Sequence, residues 1–265
     1  MTAAKTKMHS VTVAVVTGAS GGIGSAVAKQ LVMAGATVIL VGRRLEALEA
    51  TAVRINGGVP IACDVTDESD VVSLFAQVKA RFGPCDILIN SAGIMNAATP
   101  TVDLTADVFS DLLAVNVTGP FLTSREAFKH MKSPRNSSHM DECLEEDRAP
   151  ACRGGRIVNV GSIAAFSARP NGAAYATSKA ALQGLTRSLA LDGRAFGIAV
   201  GAINPGNVLS ELLSPEEVAR RRVSEGLITP EDVAASVMMM VSLPPTANVL
   251  ELTVIPTTQP LVGRG

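Results

Sequence analysis

Short runs of valine, isoleucine and leucine alternate along most of the chain with longer segments in which apolar residues recur every three or four positions. Short runs of this kind are typical of strands buried on both faces of a parallel sheet, and the longer segments are typical of amphipathic helices. The runs are Val11–Thr17, Thr37–Val41, Val59–Cys63, Ile87–Ile89, Arg156–Val160, Ala199–Ile203 and Val249–Ile255. The alternation predicts one doubly wound α/β domain over residues 1–265, with a parallel seven-stranded sheet flanked by helices.

Two segments depart from this alternation. Residues 133–155 contain prolines and many charged residues but little apolar periodicity, so we expect a surface insertion there. Residues 209–226 follow the sixth run, and Ser214-Pro215-Glu216-Glu217 within them is typical of a capped helix start. We interpret residues 209–226 as a candidate substrate flap, with Leu212 and Leu213 facing the ligand.

The longest helical pattern, Phe109 to Met131, contains Asn116 among its apolar positions. A buried asparagine in a helix usually needs a hydrogen-bonding partner. Asn116 therefore has either a structural role or the role of holding a water molecule near a site. Gly119-Pro120 is expected to weaken the helix locally, because proline lacks the N–H that a helix interior uses.

The composition narrows the classes of function. A hydrophobic content of 47% and a charged content of 18% indicate a well-buried globular protein. The net charge of -1 provides no positive field for polyanions, so no nucleic acid partner is expected. The longest apolar stretch, Leu31 to Gly42, is shorter than the ~20 residues of a membrane span, so no membrane association is expected.

The cysteines indicate the compartment and argue against a metal site. The chain has 4 cysteines without a Cys-x-x-Cys pair, which is typical of reduced thiols in the cytoplasm. His139, Cys143 and Cys152 are too few and too loosely spaced for a typical metal site, so no metal is predicted.

A glycine-rich segment, Gly18-Ala19-Ser20-Gly21-Gly22-Ile23-Gly24, joins the first predicted strand to the first helix. Glycines let the backbone turn tightly and approach a pyrophosphate, and the free N–H groups of a helix start attract its charge. Such a segment alone is also found in ordinary turns. The flanking strand and helix favour a dinucleotide site.

Two further strand ends contribute to the same site. Gly42, Arg43 and Arg44 follow the second strand, where a carboxylate would bind a ribose hydroxyl and an arginine suits a 2′-phosphate. We therefore predict NADP(H) as the cofactor, with a solvated helix start as the alternative interpretation of the two arginines. The small residues of Asn90-Ser91-Ala92-Gly93 let a cofactor lie against the backbone, although a tight turn also needs them.

Tyr175 is the single tyrosine of the chain, and Lys179 follows it by one helical turn. A nearby ammonium group favours a phenolate, as a general acid or base working near neutral pH requires. Ser162 follows the fifth predicted strand, so serine, tyrosine and lysine can converge at one edge of the sheet. A chance helical pair on a solvated face is the alternative for Tyr175 and Lys179 taken by themselves.

The motifs of this chain and their order resemble those of the short-chain dehydrogenase/reductase family, and the resemblance extends over nearly the whole chain. The family's Thr-Gly-x-x-x-Gly-x-Gly motif is similar to the segment from Thr17 to Gly24, and its Tyr-x-x-x-Lys to the segment from Tyr175 to Lys179. Its Pro-Gly at a strand end is similar to Pro205-Gly206. Ser91 departs from the second asparagine of the family's Asn-Asn-Ala-Gly motif, and we expect it to change only the packing of the turn.

The resemblance implies a role for each matching residue. Tyr175 would be the general acid in reduction, Lys179 would support it and bind the nicotinamide ribose, and Ser162 would orient the carbonyl. Asn116 would anchor a water molecule of the proton relay. The cofactor would be contacted by Gly18, Ser20, Gly22, Ile23, Gly24, Arg43, Arg44, Asp64, Val65, Asn90, Ala92, Gly93, Tyr175, Lys179, Pro205, Gly206, Val208 and Ser210.

The favoured interpretation is an NADP(H)-dependent oxidoreductase that transfers a hydride between nicotinamide and a small or medium carbonyl or secondary alcohol, in a cytoplasmic homo-oligomer (tetramer or dimer). An NAD(H)-dependent alcohol dehydrogenase and a non-catalytic NAD(P)-sensing or scaffold protein are alternatives. A sensor has no need of all four of Asn116, Ser162, Tyr175 and Lys179. A sugar-nucleotide epimerase or dehydratase is disfavoured because little chain remains after Ile203 for a substrate domain.

Overall fold

Seven parallel strands form one sheet in the computed structural model, which describes residues 12–133, 154–210 and 214–261. The spatial order of the strands is β3-β2-β1-β4-β5-β6-β7. The order reverses between β1 and β4, and ligands of open α/β sheets bind at such a switch point. The strands are β1 (Val13–Thr17), β2 (Thr37–Gly42), β3 (Val59–Ala62), β4 (Ile87–Asn90), β5 (Gly155–Val160), β6 (Ile198–Pro205) and β7 (Glu251–Val254).

Helices connect the strands and cover the sheet. They are α1 (Gly22–Met33), α2 (Leu45–Ile55), α3 (Glu68–Phe82), α4 (Ala106–Leu113), α5 (Gly119–Met131), α6 (Ala173–Gly193), α7 (Pro215–Ser224) and α8 (Pro230–Val241). Short 3-10 turns lie at Thr101–Asp103, Ile163–Ala165 and Arg194–Phe196, and a π-helical segment, Ala114–Thr118, joins α4 to α5. The fold class expected from the sequence is thereby confirmed.

Both faces of the sheet are buried, which explains the continuous apolar runs of its strands. In β1, Ala14 and Val16 pack into one core cluster with α1 and α8, whereas Val13 and Val15 pack into a second cluster with α3 and α5. All five residues of β1 are buried. Alternation of side chains to opposite faces therefore requires apolar residues at consecutive positions.

The register of the strands brings their carboxyl ends level with each other. Thr17 of β1 pairs with Val41 of β2 on one side and with Asn90 of β4 on the other. Asn90 in turn pairs with Asn159 of β5. The glycine segment and the loops that follow β2, β4 and β5 consequently meet at one edge of the sheet.

The helix expected from Phe109 to Met131 is present, but it begins earlier and is not regular throughout. Thr105 caps α4, and its hydroxyl accepts a hydrogen bond from the Val108 N–H. The π-helical segment lies directly before Gly119-Pro120. Pro120 has no N–H to donate back into the preceding turn, so the hydrogen-bond pattern changes there.

Parts of the two irregular segments lie outside the described residues. The expected surface insertion falls mostly on residues 134–153, and Leu212 and Leu213 of the candidate flap are also outside the described part. The helix start expected in the flap is confirmed, because α7 begins at Pro215 and the Ser214 hydroxyl accepts the Glu217 N–H at 3.2 Å. The assignment of residues 1–265 to one domain remains a prediction. Within the described ranges, no helix combines the length and the apolar character that a membrane crossing demands.

We predict that the insertion is dispensable for folding. The Gly154 N–H donates to the Met131 carbonyl at 3.1 Å, so the two ends of the segment are adjacent. Joining Lys132 to Gly154 through a short turn should change the free energy of unfolding by about 1 kcal/mol or less, because only loop entropy changes. This corresponds to a shift in Tm of at most about 2–4 °C. Soluble expression, thermal unfolding and cofactor titration by nicotinamide fluorescence check this. Aggregation, or loss of cofactor binding, would show that the insertion belongs to the folded core.

Candidate active site

The glycine segment places the backbone of β1 and α1 against the loop after β4. Gly18 has a φ of 63°, and a Cβ at this position would lie 2.7 Å from the Ala92 nitrogen. A Cβ on Gly24 would overlap the Gly18 carbonyl oxygen. Gly21 precedes α1 without a side-chain cap, so the N–H groups of the first turn, which includes Ile23, have no side-chain partner at the cap. This combination of close backbone approach and free helical N–H groups suits a pyrophosphate.

The hydroxyl of Thr17 joins the glycine segment to the loop after β4. Its oxygen accepts the N–H groups of Ser91 and Ala92, each at 3.1 Å, and its hydrogen is directed to the Ile89 carbonyl at 3.4 Å. Thr17 is itself only 1% exposed, so these bonds are shielded from water. The sequence placed Thr17 in a motif but did not assign this role to it.

Asn90 was predicted to contact the cofactor, but its side chain is directed into the core. Its Nδ2 donates to Asn159 Oδ1 at 2.9 Å and to the Ser124 hydroxyl at 3.1 Å, and its Oδ1 accepts the Thr123 hydroxyl at 2.7 Å. Asn159 continues the chain of bonds to Thr186 on α6 at 2.9 Å. The side chain of Asn90 therefore fixes α5 and α6 to the sheet, and only its main chain is left for a cofactor.

Asn116 lies in the π-helical segment and is 1% exposed. Its Oδ1 accepts the Ile94 N–H and its Nδ2 donates to the Ile94 carbonyl, both at 2.9 Å. The Nδ2 also donates to the Ser178 hydroxyl at 3.0 Å, and that hydroxyl donates to the Tyr175 carbonyl. The side chain thus has the partner that the sequence required. It ties the loop after β4 to the turn of α6 that carries Tyr175.

Lys179 is buried at the end of β5, beside Tyr175. It is 6% exposed, and its Nζ donates to the Val160 carbonyl at 2.9 Å and lies 5.6 Å from the centre of the Tyr175 ring. The predicted convergence of this pair with the strand end is therefore present. A Cβ on Gly93 would lie 3.7 Å from Lys179 Nζ and 3.2 Å from Asn116 Oδ1, so Gly93 fits between the two polar side chains.

Ser162 begins the 3-10 turn after β5, two positions beyond Val160. Its Oγ accepts the Ala164 N–H at 3.1 Å, which leaves the hydroxyl hydrogen free to be donated. Gly161 before it cannot carry a side chain, because a Cβ would overlap Asn204 Oδ1. Gln183 Nε2 donates to Asn204 Oδ1 at 2.6 Å, and this buried amide pair lies against Gly161.

Gly42, Arg43 and Arg44 lie at the end of β2, near the glycine segment. A Cβ on Gly42 would be 3.4 Å from Leu48 and 4.0 Å from the Ser20 hydroxyl, so the position lies between these two side chains. Both arginine side chains are exposed, and among the described residues neither forms an ion pair. An anion near Ser20 could be reached from this strand end.

Asp64 and Val65, which were predicted to contact the cofactor, follow β3. The Asp64 carboxylate accepts the N–H and the hydroxyl of Thr66 at 2.9 and 2.8 Å. Val65 is buried against Gly119, where a Cβ would approach it to 2.9 Å. Val65 thus contributes an apolar surface, while Asp64 orders the turn.

Pro205 ends β6 and Gly206 follows it, and Val208 pairs with Ile228 in an isolated parallel bridge. Ser210 lies just beyond and is the last residue of the described range 154–210. Gly206 is packed so closely on the side chain of Gln259 that a Cβ would overlap its Oε1. Gln259 could not be predicted from the sequence, because this contact joins residues far apart in the chain.

The remaining titratable groups near the sheet are structural. Burial, followed by the neighbouring Asp70 and Asp64 carboxylates, raises the pKa of the Cys63 thiol to about 12, so it stays protonated. Burial lowers the pKa of His130, whose Nδ1 accepts the Cys85 N–H at 3.1 Å. Within the described part of the chain no three histidine, cysteine or carboxylate side chains are grouped as metal ligands. The residues His139, Cys143 and Cys152 lie outside it.

Of two cavities on the surface, one lies far from this site and the other adjoins the glycine segment. A groove of about 640 Å³ lies at the amino ends of β6 and β7, lined by the end of α6 and the loop before β7. It is at the opposite end of the sheet from Tyr175 and holds none of the predicted site residues. A smaller cavity of about 210 Å³ is lined by Ser20 and Gly22 together with Lys29 and Arg54. It extends the glycine segment with two positive charges and the negative charge of Glu231.

Comparison with known proteins gives consistent matches. Residues 12–220 match the family model described as short chain dehydrogenase. The chain is 31% identical over 254 residues to an L-fucose dehydrogenase of Oryctolagus cuniculus, covering 91% of this chain and 82% of that protein. It is 33% identical over 236 residues to a 3-oxoacyl-acyl-carrier-protein reductase of Rickettsia bellii, covering 86% and 88%.

The fold matches solved structures as well. An alcohol dehydrogenase from the archaeon Thermococcus sibiricus, complexed with 5-hydroxy-NADP, superposes with a TM-score of 0.77 at 24% sequence identity. The match covers 94% of this chain and 97% of that one. At this identity the similarity supports the architecture alone.

Proposed function

The chain belongs to the short-chain dehydrogenase family, and we propose that it is an NADP(H)-dependent oxidoreductase acting on a small or medium carbonyl or secondary alcohol. The observation that supports this most directly is the buried Lys179 beside Tyr175, at the strand end where Asn116 and Gly93 also meet. The names of the relatives, which are dehydrogenases and a reductase, support a redox reaction on a small molecule.

The chain's own residues account for the acid-base part of the reaction. In the reducing direction the Tyr175 phenol gives its proton to the carbonyl oxygen, and the Lys179 ammonium stabilises the phenolate that remains. The free hydroxyl hydrogen of Ser162 is donated to the same oxygen and orients it. When bound, the nicotinamide supplies the hydride that adds to the carbonyl carbon. Asn116 holds the turn of α6 that positions Tyr175.

The cofactor would lie along the carboxyl edge of the sheet. The backbone of Gly18 and the start of α1 suit its pyrophosphate, and Val65 offers an apolar surface to the adenine. The end of β2 carries no carboxylate, and Arg43 follows Gly42 at once. A guanidinium binds phosphate oxygens in a bidentate manner, so we propose NADP(H) rather than NAD(H).

We also propose that the protein is a cytoplasmic homo-oligomer. Large apolar side chains remain exposed on the helices, including Phe121 at 43% and Leu191 at 60%. A second copy packed on a helical face would cover such residues. Cys63 and Cys85 are buried and form no disulfide, which agrees with a reducing compartment.

We predict that Tyr175→Phe removes turnover and preserves cofactor affinity, since it deletes one oxygen and leaves the ring. Loss of positioned acid catalysis should lower kcat about 10²–10⁴-fold. The measurement is nicotinamide absorbance with a panel of ketones, aldehydes and secondary alcohols, alongside cofactor titration. Thr177→Val, which removes an exposed hydroxyl from the same turn of α6, is the matched control and should turn over normally. Near-full activity of Tyr175→Phe would mean that another group supplies the proton.

We predict that the end of β2 sets the choice of cofactor. Arg43→Ala should lower kcat/KM with NADPH about ten- to a hundredfold and leave kcat/KM with NADH unchanged, because one charge-assisted contact is worth about 1.5–3 kcal/mol. Gly42→Asp should reverse the preference, since its carboxylate would face the ribose without a severe clash. Arg81→Ala, at an exposed arginine of α3, serves as the control. Equal efficiencies of the wild type with both cofactors would refute the assignment.

A further inference from the structure

Helix α7 is not held in place by an apolar face. None of its residues is buried, whereas each of the other α-helices in the described part of the chain buries at least one. The helix itself is well formed, with the Ser214 cap, Pro215 in its first turn and an ion pair between Arg221 and Glu217. A helix that is stable internally but makes little apolar contact takes its position from the polar bonds at its ends.

The segment that carries α7 leaves the sheet and returns to it through a narrow neck. Val208 pairs with Ile228, the Leu209 N–H donates to the Ile228 carbonyl at 2.8 Å, and the Ile228 N–H donates to the Asn207 carbonyl at 2.9 Å. Asn207 directly follows the Pro205-Gly206 turn at the end of β6. The neck therefore begins where the proposed cofactor site ends.

Asn207 is 5% exposed and uses all of its polar groups in this neck. Its N–H donates to Gln259 Oε1 at 3.0 Å, its Oδ1 accepts from the Arg169 guanidinium at 3.1 Å, and its Nδ2 donates to Glu225 Oε2 at 2.9 Å. One residue thus contacts the C-terminal tail, the loop that leads into the Tyr175 helix, and the residue that ends α7.

Glu225 closes the same network from the side of α7. Its carboxylate also pairs with Arg169, and its carbonyl accepts the Thr258 hydroxyl at 3.1 Å. The ion pair is partly exposed, with 48% of the Arg169 side chain and 21% of the Glu225 side chain accessible, and such pairs contribute little by themselves. The bond from Asn207 is part-buried and charge-assisted, and it reaches the same carboxylate oxygen as Arg169, so Asn207 and Arg169 hold Glu225 together.

We propose that Asn207 is a positioning residue that fixes α7 relative to the Pro205-Gly206 turn, so that the substrate side and the cofactor side of the site are set together. The inference rests on the proposed function in assigning a cofactor to that turn, and on the candidate substrate flap in assigning the substrate to the side of α7. An uncharged amide is required here because it donates to a carboxylate and accepts from a guanidinium at once. Aspartate has the same shape but would repel Glu225.

Trypsin provides a probe of this tie that does not depend on activity, because α7 carries Arg220, Arg221 and Arg222 in succession. In the free protein, Asn207→Asp should be cleaved within these arginines about tenfold faster than the wild type. The double variant Asn207→Asp, Glu225→Gln exchanges amide and carboxylate and restores the bond, so its cleavage should return to within about twofold of the wild type.

The control is Glu251→Gln, which removes a comparable exposed ion pair with Arg187 at the amino end of the sheet and should leave cleavage at α7 unchanged. Thermal unfolding of each variant separates local release of α7 from general destabilisation. A wild-type rate for Asn207→Asp, or a double variant that is cleaved as fast as the single one, would overturn the inference.

The link to the cofactor is tested by repeating the digestion with saturating NADP⁺. Cleavage of α7 should slow in the wild type and in the exchanged double variant, but not in Asn207→Asp, since coupling between two sites is lost with the residue that carries it. Equal protection of the wild type and Asn207→Asp would also overturn the inference. If the proposed function is wrong, neither NADP⁺ nor NAD⁺ will bind the wild type. The digestion of the cofactor-free proteins does not depend on cofactor binding, so the two failures are distinguishable.

Discussion

The parallel register of β1, β4 and β5 is the constraint on which the site depends. It sets Thr17, Asn90 and Asn159 side by side at one edge of the sheet, all of them nearly inaccessible to water. An unpaired polar group in such a place costs roughly 1–3 kcal/mol, so each of these side chains must find a partner. A shift of one residue would turn the polar positions toward the wrong face and leave their hydrogen bonds unmade.

The same edge carries a buried cation. Lys179 has the Val160 carbonyl as a hydrogen-bond acceptor, and no carboxylate within the described part of the chain forms an ion pair with it. Burial of an ammonium group is costly without compensating negative charge. A fold that retains this arrangement is suited to a reaction in which negative charge develops nearby, as it does on the Tyr175 oxygen when its proton is transferred.

Much of this could be predicted from the sequence because the determinants are local. Strands buried on both faces give uninterrupted apolar runs, and Tyr175 and Lys179 are one helical turn apart in any register. The direction of a polar side chain is different, since it depends on neighbours from other elements. The sequence could not indicate that Asn90 bonds to Asn159 and Thr123 in the core, because three separate elements supply these groups.

The same limit applies to irregular backbone and to the neck of α7. A local weakening of the helix was expected at Gly119-Pro120, but the sequence could not indicate that it takes the form of a π-helical turn at Asn116, where Pro120 withholds an N–H. Asn207 and Gln259 are 52 positions apart, and nothing in either local pattern points to the other. Such contacts follow from the completed fold and not from periodicity.

The central claim is that this sheet edge transfers a hydride between nicotinamide and a carbonyl carbon. Its most direct test supplies NADPH deuterated at C4, as each of the two stereoisomers in turn, with a panel of ketones and aldehydes, and locates the label by mass spectrometry. Deuterium is expected on the carbinol carbon of the product from one stereoisomer and not from the other. Cofactor binding without transfer of deuterium to any carbonyl would exclude this reaction and favour a protein that only senses the nucleotide.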